Sequence, residues 1–165
     1  MPPETDNLRL DELHAADQKD REKVYETTVA VESLKERDHE RRRELVEMIG
    51  QGGVNTSNDM YRAAVLFLHG TEPKEFLSAH RLATMAAING HRPSRWLAAA
   101  SLDRFLMSIG LPQTYGTQFE HSDEDNRYQL RLPIDDTTVL HFEKRFFGVP
   151  PVVERLAQLN RRIQQ

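Results

Sequence analysis

Apolar residues recur at helical spacing along most of the chain, and glycines or prolines separate the periodic segments. Residues 8–50 form a long polar region of helical character, which predicts either one helix or two with a break in the β-branched stretch 27–31. The glycine-rich stretch 50–53 ends that region. Residues 59–69 are apolar nearly all round, so we expect this helix in the centre of the fold.

Two alanine-rich helices follow. Residues 74–89 place Phe76 and three alanines at steps of three and four, which predicts one buried face. Residues 93–109 begin with a proline, a residue favoured in the first turn of a helix, and end before Gly110. The small side chains of both helices allow them to pack closely as a helical hairpin.

The pattern changes in the last third of the chain. Residues 117–121 and 127–132 predict a short β-hairpin, because side chains alternate in the second segment and a polar turn lies between the two. A helix is then predicted from Asp135 or its neighbour to Phe147. A last helix is predicted from the paired prolines 150–151 to the C-terminus.

Together these elements predict a mainly α fold, a compact helical domain of about six helices with one short β-hairpin near the C-terminal third. Two prolines and polar residues leave residues 1–7 nothing to bury, so they are expected to form a flexible tail. Residues 8–165 are expected to form a single helical domain, because 165 residues suffice for one domain with a core and are few for two.

Composition narrows the functional classes. The net charge is -4, and the run Arg41-Arg42-Arg43 is flanked by glutamates as on a solvated face, so no nucleic-acid partner is expected. No apolar stretch reaches the ~18 residues of a membrane span, so no membrane partner is expected either. Without cysteine the chain lacks disulfides, thiolates and zinc–sulfur sites, which favours a cytoplasmic location and no cofactor.

Asp17 is the first residue that suggests chemistry. Leu10, Leu13, Asp17 and Val24 share one helical stripe, and a carboxylate on an apolar stripe is costly unless it is paired. Arg21, one helical turn further on, is in position to pair with it. The pattern fits a half-exposed salt bridge on a polar helix as well as a functional site.

His69 is the second candidate. It ends the most apolar helix, directly before Gly70, and fits either a cation at the helix C-terminus or an acid or base in a pocket. His69 and His80 lack the short helical spacing of a metal-binding pair, so no metal site is expected.

Asp103 and Arg104 lie side by side in the helix predicted over 93–109. Adjacent residues of a helix point about 100° apart, so each is expected to reach a different neighbour. The pair fits a tertiary ion-pair network that ties helices together. It equally fits a positioned acid beside a guanidinium that clamps a substrate.

The turn after this helix, residues 110–118, is crowded with amides and hydroxyl groups. These are Gln113, Thr114, Tyr115, Thr117 and Gln118. Such a loop can present several hydrogen-bonding groups to one ligand. The same side chains also fit a structural role, in which they satisfy the backbone of an irregular link from helix to strand.

Seven motifs occur in one order along the chain. They are Asp17-Gln18-x-x-Arg21, Leu68-His69-Gly70, Trp96-Leu97-Ala98-Ala99, Leu102-Asp103-Arg104-Phe105-Leu106, Ile109-Gly110-Leu111-Pro112-Gln113-x-Tyr115-Gly116-Thr117-Gln118-Phe119, Leu132-Pro133-Ile134 and Gly148-Val149-Pro150-Pro151. In this order they resemble a bacterial family known only as a domain of unknown function, whose hallmark is an Asp-Arg helix that runs into a Gln-x-Tyr-Gly-Thr-Gln turn. The resemblance implies a shared polar set and supplies no reaction. That set is Asp17, Gln18, Arg21, His69, Asp103, Arg104, Gln113, Tyr115, Gly116, Thr117 and Gln118.

Two functional hypotheses from different classes follow. In the first, the polar residues converge on one pocket that binds or transforms a small molecule, with His69 or Asp103 as acid or base and Arg104 holding an anionic group. The other ligand-binding residues would be Asp17, Gln18, Arg21, Gln113, Tyr115, Thr117 and Gln118. In the second, the polar set is a buried structural network, and residues 8–50 bind a protein partner.

Overall fold

Seven helices and one two-stranded sheet make up the regular structure of residues 5–23, 25 and 27–163, which are the residues that the computed structural model describes. The helices are α1 (Leu8–Arg21), α2 (Thr28–Gly50), α3 (Ser57–Leu68), α4 (Pro73–Ile88), α5 (Pro93–Ser108), α6 (His141–Phe147) and α7 (Val152–Ile163). The strands are β1 (Phe119–Ser122) and β2 (Arg127–Leu130). The protein is therefore mainly α with one β-hairpin in its C-terminal part, and the predicted fold class is confirmed.

Side-chain caps set where the first three helices begin. The side chain of Asn7 accepts hydrogen bonds from two backbone N–H groups in the first turn of α1. Thr27 caps α2, so the break in the long polar region falls where the β-branched stretch begins. Thr56 and Asp59 form a capping box at the start of α3.

The residues just before α1 are held to α3. The carboxylate of Asp6 accepts hydrogen bonds from three side chains, those of Thr56 (2.7 Å), Asn58 (2.9 Å) and Arg62 (2.9 Å). The backbone N–H of Asn7 donates to Asp59 at 2.8 Å. These contacts bring Asp6 and Asn7 into the folded domain, ahead of the predicted boundary at residue 8. Residues 1–4 of the predicted tail lie outside the described residues.

Helix α3 is the centre of the core, as its apolar circumference predicts. Residues 63–67 are all buried. One apolar cluster joins α3 to Leu10 and Leu13 of α1, and a second joins it to Leu97 and Ala98 of α5. Helices α4 and α5 pack against each other as the predicted hairpin, with the alanines of α4 buried between them.

The β-hairpin is antiparallel and lies against α7. The side chain of Asn160 holds the backbone of Tyr128, because it accepts from the N–H at 2.7 Å and donates to the carbonyl at 3.1 Å. The segment after α5 runs beside the segment after β2, where Gln113 and Ile134 form a parallel bridge. The turn that follows α5 is thereby fixed to the hairpin.

Two predictions made from the sequence are wrong. The helix expected from Asp135 or Asp136 begins only at His141, because the carboxylate of Asp135 accepts from the backbone N–H (3.2 Å) and hydroxyl (2.6 Å) of Thr137 and so closes a local turn. The arginine run 41–43 is not a solvated face, since only its last member is exposed. The first two are buried and ion-paired.

A search of the described helices for a long apolar stretch finds none that could cross a membrane.

Gly116 combines a positive φ with close neighbours, so its replacement should destabilise the fold. Its φ is +77°, and a Cβ there would lie 2.9 Å from Val152 and 3.2 Å from Ile134. We expect Gly116→Ala to lower the free energy of unfolding by about 2–4 kcal/mol, from backbone strain and crowding together.

Gly90→Ala is the matched control for this substitution. Gly90 also has a positive φ, +90°, but a Cβ there meets nothing within 4 Å. Its cost should be the strain alone, roughly 1 kcal/mol. Equal losses in urea denaturation of the two variants would show that the packing around Gly116 is looser than described.

Candidate functional site

The C-terminal end of α3 is a junction at which three other helices meet. The backbone carbonyl of Leu68 accepts a hydrogen bond from Arg104 of α5 at 2.8 Å. The ring Nδ1 of His69 lies 2.9 Å from a carboxylate oxygen of Asp17 on α1. The carbonyl of His69 accepts from Arg42 of α2 at 3.1 Å. The last residue of α3 and the residue after it therefore hold polar groups from α1, α2 and α5.

Asp17 is buried, with 1% of its surface exposed, and three side chains satisfy it. Besides His69, it accepts from Gln18 at 2.9 Å and from Arg21 at 3.3 Å. Burial acts to raise the pKa of the Asp17 carboxyl, but the hydrogen bond and charge of His69 and the charge of Arg21 together hold this pKa below its ordinary value. The salt bridge with Arg21 that the sequence suggested is thus present. Val24, the last residue of the predicted stripe, lies outside the described residues.

One ring nitrogen of His69 is hydrogen-bonded to Asp17, and the other has no hydrogen-bond partner among the described residues. An ionised carboxylate only accepts hydrogen bonds, so the Nδ1 that faces Asp17 carries the proton. The side chain is 22% exposed, and its Nε2 makes no hydrogen bond to any described residue. A carboxylate that orients an imidazole in this way is the arrangement a general base or acid requires.

Asp103 is completely buried and is the acceptor of five hydrogen bonds. One of its oxygens accepts from the N–H (2.7 Å) and hydroxyl (3.2 Å) of Thr114 and from the N–H of Tyr115 (2.9 Å). The other accepts from the N–H (3.0 Å) and hydroxyl (2.7 Å) of Thr117. A carboxylate so enclosed has no free position for a substrate, so the geometry favours a structural role over the acid or base role that the sequence suggested.

Gln113 extends this network to the hairpin and is also completely buried. Its amide nitrogen donates to the carbonyl of Arg131, and to that of Gln118 at 3.2 Å. Its amide oxygen accepts from the N–H of Gln118 at 2.9 Å. Tyr115, also buried, packs its ring edge-on against Phe147 with the centroids 5.3 Å apart, and burial raises the pKa of its phenol. These side chains shape the turn and are turned away from solvent.

Arg104 reaches different neighbours from Asp103, as the helical geometry predicts. It lines a cavity of about 310 Å³ at the C-terminal end of α5. The lining residues are Gly70, Phe76, Arg104, Met107, Ser108, Gln118 and Arg131. Within it, the Nε of Arg104 donates to the side chain of Gln118 at 3.3 Å, and its guanidinium lies over the ring of Phe76 at 5.8 Å.

The charge of Arg104 is uncompensated. No carboxylate among the described residues lies within 4.0 Å of it, whereas every arginine of α1, α2 and α3 has one. Burial lowers the pKa of its guanidinium, and the nearby positive charge of Arg131 lowers it further. Arg131 itself has no carboxylate partner in the described chain. Two guanidinium groups thus face one cavity without a counter-charge.

The residues predicted to share one pocket therefore fall into three places. Asp17, Gln18, Arg21 and His69 lie together on the α1 side of the α3 terminus. Arg104 and Gln118 line the cavity on its α5 side, and His69 does not line it. The remaining predicted residues, Asp103, Gln113, Tyr115 and Thr117, form the buried network between α5 and the hairpin.

Several cavity residues were not predicted from the sequence. The sequence predicts Phe76 only as part of a buried helix face, and Met107 and Ser108 belong to none of the motifs. Arg131 follows β2 directly and is exposed, so its sequence context is that of an ordinary surface cation. Its distinguishing property is its place in the wall of the cavity near Arg104, which only the tertiary structure reveals.

The described residues contain no group of three or more histidine, aspartate or glutamate side chains arranged to hold a metal ion. Comparison of the chain with family models, with curated proteins and with solved structures finds no match. The resemblance to a bacterial family of unknown function therefore stays a prediction from the motifs.

A row of three aromatic side chains lies beside Asp17. The ring of Tyr61 is 5.8 Å from that of His14 and 4.6 Å from that of His91, between centroids. The Nε2 of His14 is buried and finds no hydrogen-bond partner in the described structure. Burial lowers the pKa of both imidazoles, and the positive charge of Arg62 acts in the same direction.

These two histidines should make the fold less stable in mild acid. The unfolded chain takes up protons on histidine at about pH 6.5, whereas His14 and His91 in the folded state do so only at lower pH. Stability should therefore be fully present above about pH 7 and decrease as the pH falls towards about 5. The lowered pKa values of Asp17 and Asp20 affect stability only at lower pH still.

Urea denaturation between about pH 7.5 and about pH 5 measures this effect. His14→Phe, which keeps a ring against Tyr61, should reduce the slope of unfolding free energy against pH. His141→Phe, at an exposed position, should leave the slope unchanged. A slope that is the same in all three proteins would contradict the assignment to His14.

Asp103→Asn should destabilise the protein strongly. The change keeps the shape but replaces one acceptor oxygen with an N–H₂ group that faces buried donors, so at least about 3 kcal/mol of stability should be lost. In thermal unfolding, the midpoint should fall by roughly 10 °C. Asp123→Asn, at an exposed hairpin position, is the control and should change the midpoint little. An unchanged or raised midpoint for Asp103→Asn would show that its charge is held at a cost, as in active sites.

Proposed function

We propose that the protein binds a small anionic molecule in the cavity lined by Arg104 and Arg131. The observation that carries the proposal is the partly buried guanidinium of Arg104, which has no counter-charge among the described residues. Holding a cation out of water without a partner costs stability. A ligand that brings a carboxylate or phosphate group would remove that cost.

The hydrogen-bonding groups of the cavity support an anion rather than a neutral or cationic ligand. The Nη1 and Nε of Arg104 are used by Leu68 and Gln118, which hold the guanidinium plane in place. The amide nitrogen of Gln118 is occupied by Ala100 and Thr117. The Nη2 of Arg104 and the guanidinium of Arg131 are left to donate, and both are charged donors.

The size of the cavity supports a small organic anion. A volume of about 310 Å³ lies at the lower end of the range for small-molecule sites. Phe76 and Met107 line part of the wall and would contact an apolar portion of the ligand. Two guanidinium groups match a ligand with two negative charges, such as a phosphate monoester or a dicarboxylate.

Transformation of the ligand is a separate question from its binding. The Asp17–His69 pair has the geometry of an acid or base, but His69 does not line this cavity. Gly70, the next residue, does line it, so the two places are neighbours along the chain. We propose binding as the function of the Arg104 cavity and assign no reaction to it.

The scaffold hypothesis remains the second candidate, and one observation favours it. Asp103 and Gln113 form hydrogen bonds with the backbone of the turn and hairpin, as a purely structural network would. On this hypothesis a protein partner would bind elsewhere, for example on residues 8–50. It gives no account of the uncompensated charge on Arg104.

Titration with inorganic phosphate at constant ionic strength tests the anion site. Phosphate should raise the thermal unfolding midpoint of the wild-type protein, since saturation at 100 times Kd stabilises the folded state by about 2.7 kcal/mol. Arg104→Gln should abolish the increase and Arg131→Gln should reduce it. Arg81→Gln, on the exposed surface of α4, should behave as the wild type.

Calorimetric titration then separates specific binding from a general salt effect. Phosphate also stabilises proteins by exclusion from their surfaces, and that effect should be the same in all variants. Equal stabilisation of wild type and Arg104→Gln, with no heat of binding for either, would overturn the proposal. Acetate at the same ionic strength should bind more weakly than phosphate because it carries a single charge.

A further inference from the structure

A second arginine-lined surface lies at the other end of α5, away from the Arg104 cavity. We define the Trp96 surface by Arg95, Trp96, Phe142, Phe146, Pro150 and Arg155. Trp96, Gly148, Pro150 and Arg155 line a shallow cleft of about 360 Å³ on it. The guanidinium of Arg95 lies 4.5 Å from the centre of the Phe146 ring.

Large aromatic side chains on this surface are exposed to solvent. The exposed fraction is 39% for Trp96, 61% for Phe142 and 47% for Phe146. Single exposed apolar residues are ordinary, but several large ones grouped together mark a surface that another molecule covers. Tryptophan, phenylalanine and arginine are also the residue types enriched at protein–protein interfaces and their energetic centres.

The cations of this surface have no carboxylate partners in the described part of the chain. Arg155 donates only to the side-chain oxygen of Gln158, at 3.3 Å. The Nε of Arg95 is buried and makes no hydrogen bond to a described residue. Among nearby acids, Glu143 caps the start of α6 through the backbone of Leu140. The surface therefore has two guanidinium groups that form no ion pair with a described residue, and exposed aromatic rings lie beside them.

We propose that the Trp96 surface docks an acidic segment of another protein, in which an apolar side chain enters the cleft at Trp96 and flanking carboxylates pair with Arg95 and Arg155. Charge complementarity carries the choice of partner, because carboxylates would give both guanidinium groups the ion pairs that the described residues do not supply. We expect an apolar side chain in the cleft because an indole and a proline form part of its wall. This inference is independent of the anion site proposed above.

A second copy of the chain fits this surface less well. A two-fold symmetric dimer places the same patch of each subunit against the other. Arg95 and Arg155 would then approach equal charges of the partner copy, which is unfavourable. An acidic segment from a different protein avoids this repulsion.

Single-stranded nucleic acid also combines stacking rings with arginines, but the remaining features disfavour it. Such binding requires a positive groove that follows several phosphates. Here one arginine, Arg155, lines a single cleft, and the chain carries a net charge of -4. Repulsion from that charge increases with the number of negative charges on the ligand, so it opposes a polynucleotide more than a short acidic segment.

Selection from a random short-peptide library on the full chain tests the proposal. We expect enriched peptides that place acidic residues around an apolar one. Because Trp96 is the only tryptophan, a tryptophan-free synthetic version of the enriched peptide can be titrated while its emission is followed. Occupation of the cleft should shift the emission to shorter wavelength, and added salt should weaken the binding.

Charge reversal gives the decisive comparison. Arg155→Glu should weaken peptide binding by about tenfold or more. Arg161→Glu, on the same helix and exposed, should leave it within about twofold. Trp96→Phe keeps a ring in the cleft and removes the fluorescence signal, so it confirms that the signal arises there.

Four results would overturn the proposal. They are the absence of enriched peptides, enrichment of basic peptides, equal binding by wild type and Arg155→Glu, and tighter binding of oligo(dT) than of the acidic peptide. Sedimentation of the wild type and Arg155→Glu provides a further check. A wild-type dimer that Arg155→Glu dissociates would assign the surface to a second copy and so also contradict the proposal.

Discussion

The buried carboxylate of Asp103 is the interaction on which the C-terminal half of the structure depends. Removing a carboxylate from water is costly, and five hydrogen bonds to the turn after α5 offset that cost. Because of these bonds, a change in the shape of the turn would leave the carboxylate or the N–H groups of the turn without hydrogen-bond partners. Gln113, fixed within this turn, then holds the segment after β2 and thereby the hairpin. One charge thus determines where a helix, a turn and a sheet meet.

The same helix positions the cavity through the next residue. Because Arg104 is rotated by about 100° from Asp103, it leaves α5 in a different direction and reaches the end of α3 and the side chain of Gln118. Gln118 is itself placed by Gln113. The structural network and the proposed anion site therefore share their framework, although the first is enclosed and the second is open. A change that loosens the turn should also displace the guanidinium of Arg104.

The sequence predicts the elements of this fold better than their polar contacts. Periodicity located the buried face of α4 and the central α3, because apolar burial follows spacing along one helix. It could not reveal that Arg41 and Arg42 are buried, since their partners Asp20 and Glu75 lie on other helices. The start of α6 was misplaced for a local reason, the competing turn at Asp135. The sequence identified the polar residues of the candidate site. It could not show which of them are enclosed in the buried network and which line an open cavity, because that depends on tertiary packing.

The arginines of the first three helices differ from those of α5 in whether a carboxylate pairs with them. In α1, α2 and α3 each arginine is matched by a carboxylate, so its charge is used to join helices. At the two ends of α5, the described residues leave Arg95 and Arg104 without such a match, although both are partly buried. These two positions are therefore the basis of the two proposals, a small anion at one end of α5 and an acidic protein segment at the other.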